Sequence, residues 1–433
     1  MENIKIEKFL SIAKVDIPLK KINIFIGPQA QGKSVIAKLI KYFKDYPMDV
    51  LRASAEGKTK RDIIKEQKVK FTKIFPQQYW VSDDFYIKYS NKHYWVELSH
   101  TQNSKGKLKV VISEELTKTI NKLRIITRKD IDDNIHNTIT DPVVRKRKRS
   151  LEQELRACLA LELFSEKDAK LENVLYIPAG RSFFSNLQKN VFSFLSSSIE
   201  IDYFLTEFGS IYEQTKKLLN QEFFSRLGRE SVPANVSKLV EELICGKYMS
   251  EKGEDFIRHA NRKINLNNSS SGQQESLPMA LMLSTWPYLP SQIGRSFIIE
   301  EPEAHLFPSA QAKVVSLIAN AYNQAESYCS YTVTTHSPYI LSAVNNLIQA
   351  GNALKSLKVN SPETLPELYK LVPASQVINF DDVTAYMVNN GKVVEILDNE
   401  LQILDANEID RISSVFSEVF DKLIEMEYSI DSE

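Results

Sequence analysis

The sequence predicts a mixed α/β fold with an antiparallel β subdomain, a helical insertion and a small C-terminal α+β unit. Three stretches carry that prediction. The apolar run "INIFIG" stops at a glycine and is followed at once by "SVIAKLIKYFKDY", where Val35, Ile36, Leu39, Ile40 and Phe43 recur at helical spacing. Later, "RSFIIEEPEAH", "SAQAKVVSLIANAY" and "SYTVTTHS" alternate strand, helix and strand, the pattern of a parallel sheet covered by helices. Between these lies "FYIKYSNKHYWVEL" with "LKVVIS", rich in aromatic and β-branched residues and broken by turn residues, as antiparallel strands are.

The elements follow in order. Residues 4–26 read as strands, and residues 85–113 as the antiparallel subdomain. Residues 114–169 are polar and mostly helical in pattern, and they contain the basic run "RKRKR", Arg145 to Arg149. A strand, "NVLYIP", comes next, then a mostly helical stretch up to the serine-rich "NNSSSGQQESLP". In the tail, "VTAYMV", "NNG" and "KVVEIL" predict a hairpin turning at Asn389 to Gly391. A closing helix, capped by Asn407, carries Ile409, Ile412, Phe416, Val419, Leu423 and Ile424 on one face. The expected units are 1–112, 113–170, 171–345 and 346–433.

Composition bounds the function. A chain of 433 residues with 43% hydrophobic and 25% charged residues buries enough apolar surface for a large core. Its 55 basic and 55 acidic residues cancel, so any nucleic-acid contact is local. Cys158, Cys245 and Cys329 are odd in number and far apart, which offers neither a disulfide framework nor a zinc motif and suits a cytoplasmic protein. No apolar run approaches the ~18 residues of a membrane span. The "RKRKR" run is open to two readings, a solvated helix start or a phosphate-contacting patch on an arm.

Three motifs carry chemistry. "GPQAQGKS" (Gly27, Pro28, Gln29, Ala30, Gln31, Gly32, Lys33 and Ser34) fits a phosphate loop between a strand and a helix. Its glycines let backbone N–H groups face a triphosphate, Lys33 neutralises the β and γ phosphates, and Ser34 holds Mg²⁺. In "FIIEEPEAH" an apolar strand ends in Glu300 and Glu301, whose side chains point to opposite sides and so divide metal ordering from water activation. In "TVTTHSP" the strand after that one ends in His336, on the sheet edge where ligands collect.

The order of these motifs, with a Ser-Gly-Gln loop before the carboxylate strand, resembles the ATP-binding cassette (ABC-type) ATPases. The resemblance covers residues 1–50 and 170–345, and it implies an ABC-type P-loop NTPase head that binds ATP and Mg²⁺. It also implies that Ser270, Ser271, Gly272 and Gln273 form a signature that binds the γ-phosphate held by a second copy, in a head-to-tail homodimer. On this likeness Glu300 orders Mg²⁺, Glu301 is the catalytic base, and His336 senses the γ-phosphate.

"IIEEPEAHLFP", "TTHSPYIL" and "SSGQQESLP" look like the SMC/RecF group, and within it the OLD-type ATPases of anti-phage systems. The stretch from Arg181 to Ser270 is too short for an SMC coiled coil, and the tail lacks a TOPRIM pattern. The implied function is a nucleotide-gated switch that regulates a TOPRIM-type or other nuclease supplied in trans. The alternative is a RecF/SMC-like repair ATPase with DNA as its ligand; a membrane-transport role fits the loops poorly.

Four departures stand out. Glu300 replaces the aspartate of transporter cassettes, and Ser271 replaces a glycine. "PAGRS", with Arg181, stands where a Mg²⁺-contacting glutamine is usual, so that role is unassigned. Pro278 lies where it should kink the signature helix.

Overall fold

The computed structural model describes residues 2–80, 84–101, 107–132, 141–164, 171–183, 202–219, 232–251, 253–291, 293–405 and 422, with 132 and 141–146 described by backbone alone. The expected closing helix therefore lies, but for one residue, outside the described residues, as do the side chains of Arg145 and Lys146.

Five strands form a parallel block: β3 (Ile22–Ile26), β7 (Glu172–Ile177), β11 (Gly294–Glu300), β12 (Cys329–Thr335) and β13 (Val383–Asn389). Their order is β13, β3, β12, β11, β7. Both faces of this block are covered, so β3, β11 and β12 are buried along their whole length. Ile22, Ile24, Ile26, Phe297 and Ile299 enter one core, while Phe25 and Ile298 enter the other. Helix α1 (Lys33–Ala55) covers the second face with Ile36, Leu39, Ile40 and Phe43.

On the other side of β13 the sheet continues through β14 (Lys392–Glu395), antiparallel to β13 but parallel to β2 (Ile12–Leu19), and then through the antiparallel run β2, β1 (Glu2–Phe9), β4 (Phe85–Ser90), β5 (Trp95–His100) and β6 (Lys109–Ile112). The β13–β14 hairpin turns at Asn390 and Gly391, as its sequence predicts. Rather than standing apart, it is inserted between β3 and β2, and the Gly391 carbonyl accepts the Ala13 N–H at 2.9 Å. The last residues of the fold thus buttress the first.

Helices α2 (Lys60–Ile74), α3 (Glu114–Asp132) and α4 (Asp141–Leu163) flank α1. Leu116, Ile120 and Leu123 of α3 share a core with Leu155, Leu159 and Leu163 of α4. Arg147, in the basic run, donates to the Asp130 carboxylate at 2.6 Å. Helices α5 (Tyr203–Leu218) and α6 (Ala234–Leu243) follow β7. The helical reading fails after α6: β8 (Lys247–Glu251), β9 (Glu254–His259) and β10 (Arg262–Asn265) form a separate antiparallel sheet. Glycine at 253 and left-handed Ala260 make its tight turns, and its charged faces hide the two-residue period. Helices α7 (Ser271–Thr285), α8 (Pro308–Gln324) and α9 (Pro338–Asn360) complete the first face. No helix among the described residues is long and apolar enough to cross a membrane.

Candidate functional site

In the parallel block, Ile26 is level with Thr335, Glu300 with Thr334, and Ile299 with Ile177. The phosphate loop, Glu301, His336 and the loop after β7 therefore leave the sheet at one edge.

The loop's conformation depends on its glycines. Gly32 has φ 101°, in the left-handed region, and Gly27 packs so closely on the hairpin that a Cβ there would lie 2.1 Å from the Val388 carbonyl oxygen. Gln31 anchors the loop to the same hairpin by accepting the Asn390 N–H at 2.7 Å. Lys33 is buried, and its ammonium donates to the carbonyls of Gly27 at 2.7 Å and Pro28 at 2.6 Å. Burial pushes this ammonium below its ordinary pKa, against the opposing charges of Glu301 and Glu303. Ser34, exposed, lines a cavity of about 1180 Å³ together with Leu10, Val35, Lys38, Phe75 and Tyr79.

The two strand-end glutamates differ as alternation requires. Glu300 is buried beside the Tyr176 hydroxyl, and its Oε2 accepts the Ala179 N–H at 3.4 Å, while among the described residues its Oε1 has no partner within hydrogen-bond geometry. A buried carboxylate oxygen without a donor is costly, and a hard cation satisfies it. Glu300 and the Ser34 hydroxyl offer two oxygens, a donor set that fits Mg²⁺, which takes one or two protein oxygens and keeps its water. Glu301 is partly exposed and adopts φ 42°, a left-handed conformation unusual outside glycine.

His336 faces both carboxylates. Its Nδ1 lies 3.1 Å from Glu303 Oε1 and 3.9 Å from Glu301 Oε1. Glu303, unremarked in the sequence reading, is buried and accepts the His336 backbone N–H at 2.7 Å and the Thr335 hydroxyl at 2.8 Å. The signal was present in "EEPE": a third carboxylate two residues beyond Glu301.

The serine run is a helix start. Ser270 caps α7 by accepting the Gln273 N–H at 3.4 Å, and the Gln273 side chain accepts the Ser270 N–H at 3.2 Å, a reciprocal capping box. Ser270 and Ser271 are exposed there, with α7 continuing through Pro278. Only Gly272 must be small, since a Cβ would stand 2.8 Å from the His305 carbonyl oxygen; Ser271 meets no such limit. The hydrogen bonds described for Ser270 and Gln273 stay within the cap or go to Ile244, not to the phosphate loop.

Arg181, in the loop where a metal-contacting glutamine is usual and that role is unassigned, is fully buried and donates to backbone carbonyls.

A phosphate loop between a parallel strand and a helix, with carboxylates on a neighbouring strand end, defines a P-loop nucleotide-binding protein. Residues 1–341 match the family described as AAA ATPase domain, and the chain belongs to that family; it is an ATPase. Solved structures of SMC heads and RecF are similar to it. One, the SMC head bound to the C-terminal winged-helix domain of ScpA, is 11% identical over 92% of this chain and 98% of that one, with a TM-score of 0.43. Another, a Pyrococcus furiosus SMC head with an extended coiled coil bound to the C-terminal domain of ScpA, is 13% identical over 96% and 100%, with a TM-score of 0.40. RecF with ATP is 11% identical over 91% and 98%, with a TM-score of 0.32. No curated protein matches the chain.

Proposed function

We propose that the protein is a dimeric ATP-driven switch, in which two copies close over two ATP molecules and hydrolysis releases them. The observation that carries this reading is the meeting of Lys33, Glu301 and His336 at one sheet edge while the exposed cap of α7 makes its hydrogen bonds elsewhere. A helix start with free N–H groups and a serine hydroxyl is an anion site, and a second copy's γ-phosphate fits it. Phe307 and Tyr339, each just past a site residue, are large apolar side chains left 77% and 54% exposed, as a surface that closes on a partner would be.

Each residue then has a task. Lys33 moves its ammonium from the loop carbonyls to the phosphates, and the nucleoside extends into the cavity beside Ser34. Ser34 and Glu300 hold Mg²⁺, which when bound neutralises phosphate charge. Glu301 orients the attacking water and takes its proton. His336, steadied by Glu303, donates to the γ-phosphate.

The likeness of the motifs to OLD-type ATPases supports an output in anti-phage defence, with the switch holding or activating a nuclease supplied in trans. A second reading, a RecF/SMC-like DNA-binding ATPase, is favoured by one feature: Arg128, Lys129, Lys148 and Arg149 are all exposed on α3 and α4. Co-purification of a nuclease supports the first, and stable DNA binding that weakens steeply with salt supports the second.

Mixing Ser270→Arg with Lys33→Ala protein tests the shared site. Each alone is inactive; half the mixed population pairs unlike copies with one intact site of two, so up to about a quarter of wild-type turnover returns. No recovery overturns the reading.

A further inference from the structure

Arg181 has its whole side chain buried, a costly place for a guanidinium, and every contact it makes is with a segment that builds the site. Its Nε donates to the Glu275 carbonyl at 2.9 Å, Nη1 to the carbonyls of Pro178 at 2.9 Å and Glu300 at 2.8 Å, and Nη2 to the Glu301 carbonyl at 3.1 Å. In return the Glu275 carboxylate, also buried, accepts the backbone N–H groups of Arg181 at 2.9 Å and Ser182 at 3.0 Å. One side chain thus joins the loop after β7, the second turn of α7 and the end of β11.

The contact with Glu301 bears on chemistry. That residue sits at φ 42°, where an L side chain stays only if its surroundings hold it. Three bonds do so: its N–H donates to the Thr334 carbonyl at 2.8 Å, and its carbonyl accepts both the Ala304 N–H and the Arg181 Nη2–H at 3.1 Å. Those bonds fix the peptide planes on both sides of the Glu301 Cα and therefore the direction of its carboxylate. The guanidinium's planar fork reaches three separate carbonyls beyond Nε, which a lysine's single ammonium cannot match.

We infer that Arg181 is a positioning residue for the water-orienting Glu301 of its own protomer, and that Glu275 on the signature helix holds Arg181 in place. This rests on the role proposed above for Glu301. Arg181 and Glu275 are buried and spend their hydrogen bonds on backbone groups outside the phosphate loop, so their loss lowers the rate of the chemical step and spares ATP binding.

Arg181→Lys tests this, with Glu275→Gln as a second variant that keeps the side chain's shape. Binding of a fluorescent ATP analogue and thermal melting confirm that each variant is folded. The expected result is a fall in kcat of about a hundredfold for Arg181→Lys, the penalty of a catalytic group displaced by ~1 Å, with KM little changed. Glu275→Gln lowers kcat in the same sense, and the double variant is no worse than Arg181→Lys alone. Mixed dimers then assign the effect to one copy. Placed on the Ser270→Arg copy, which supplies the working Lys33 and Glu301, Arg181→Lys removes the recovered turnover; placed on the Lys33→Ala copy, which supplies only the signature, it leaves turnover standing. A folded Arg181→Lys protein with unchanged kcat, a loss confined to KM, or a loss that follows the signature-supplying copy overturns the proposal. Failure of the parent mixture to recover turnover refutes the shared site instead, and the kcat and KM of the single variants still decide the role of Arg181.

Discussion

Replacing Glu303 separates the work of its oxygen from the work of its charge. The side chain is buried, and its Oε1 collects the Thr335 hydroxyl at 2.8 Å, the His336 N–H at 2.7 Å and the His336 ring at 3.1 Å. Alanine strands the part-buried His336 backbone N–H, at roughly 1–3 kcal/mol, while the His336 ring, 38% exposed, turns to water. The Thr335 hydroxyl loses its acceptor too, although it still accepts the Ser337 N–H at 3.0 Å. An offset comes from Oε2, a buried oxygen that has no partner among the described residues and whose desolvation cost disappears with the side chain. The net is about 1–3 kcal/mol of lost stability, largely from the stranded backbone N–H. Glutamine keeps an acceptor oxygen and loses only the charge-assisted part, about 1 kcal/mol. Thermal melting should therefore place Glu303→Gln close to wild type and Glu303→Ala well below it. In turnover assays on folded protein, Glu303→Ala should resemble His336→Ala, and the double variant should be no slower than either. Independent, multiplying losses from the two substitutions would refute the clamp, as would a glutamine variant that melts as low as the alanine one.

Gly27→Ala forces a Cβ to within 2.1 Å of the Val388 oxygen, so the phosphate loop or the hairpin must shift; loss of ATP-analogue binding with a lowered melting midpoint is expected. Lys44, buried at the end of the sheet away from the site, donates to Glu172 at 2.8 Å. Lys44→Ala should cost about 3–5 kcal/mol by stranding that carboxylate, adding Glu172→Gln should recover part of it, and turnover per folded molecule should not change. Melting curves of the single and double variants check this.

What the sequence disclosed was local. The β3–loop–α1 unit was legible because an apolar run, two glycines and a helical period are all written in consecutive residues, and the Asn389 to Gly391 turn was legible for the same reason. Where the hairpin docks was not: Val383 pairs with Ile22 across most of the chain, and no short-range pattern encodes that choice. The β8–β10 sheet was missed because Glu254, Arg258, Lys263 and their neighbours are exposed and leave little alternation to read. Lys33, Glu301 and His336 stood out by residue type and spacing. Glu303 did not, and Arg181 stood out only by its place in the loop after β7, since a charged residue in a loop reads as solvated until burial and partners are known.

The measurement that bears most directly on the central claim is sedimentation of Glu301→Gln protein with ATP and Mg²⁺, set beside its ATP turnover. A variant that cannot activate water but retains every binding group should bind ATP, fail to hydrolyse it and accumulate as a dimer that disperses when ATP is removed. A monomer at saturating ATP, or turnover at the wild-type rate, would contradict the account.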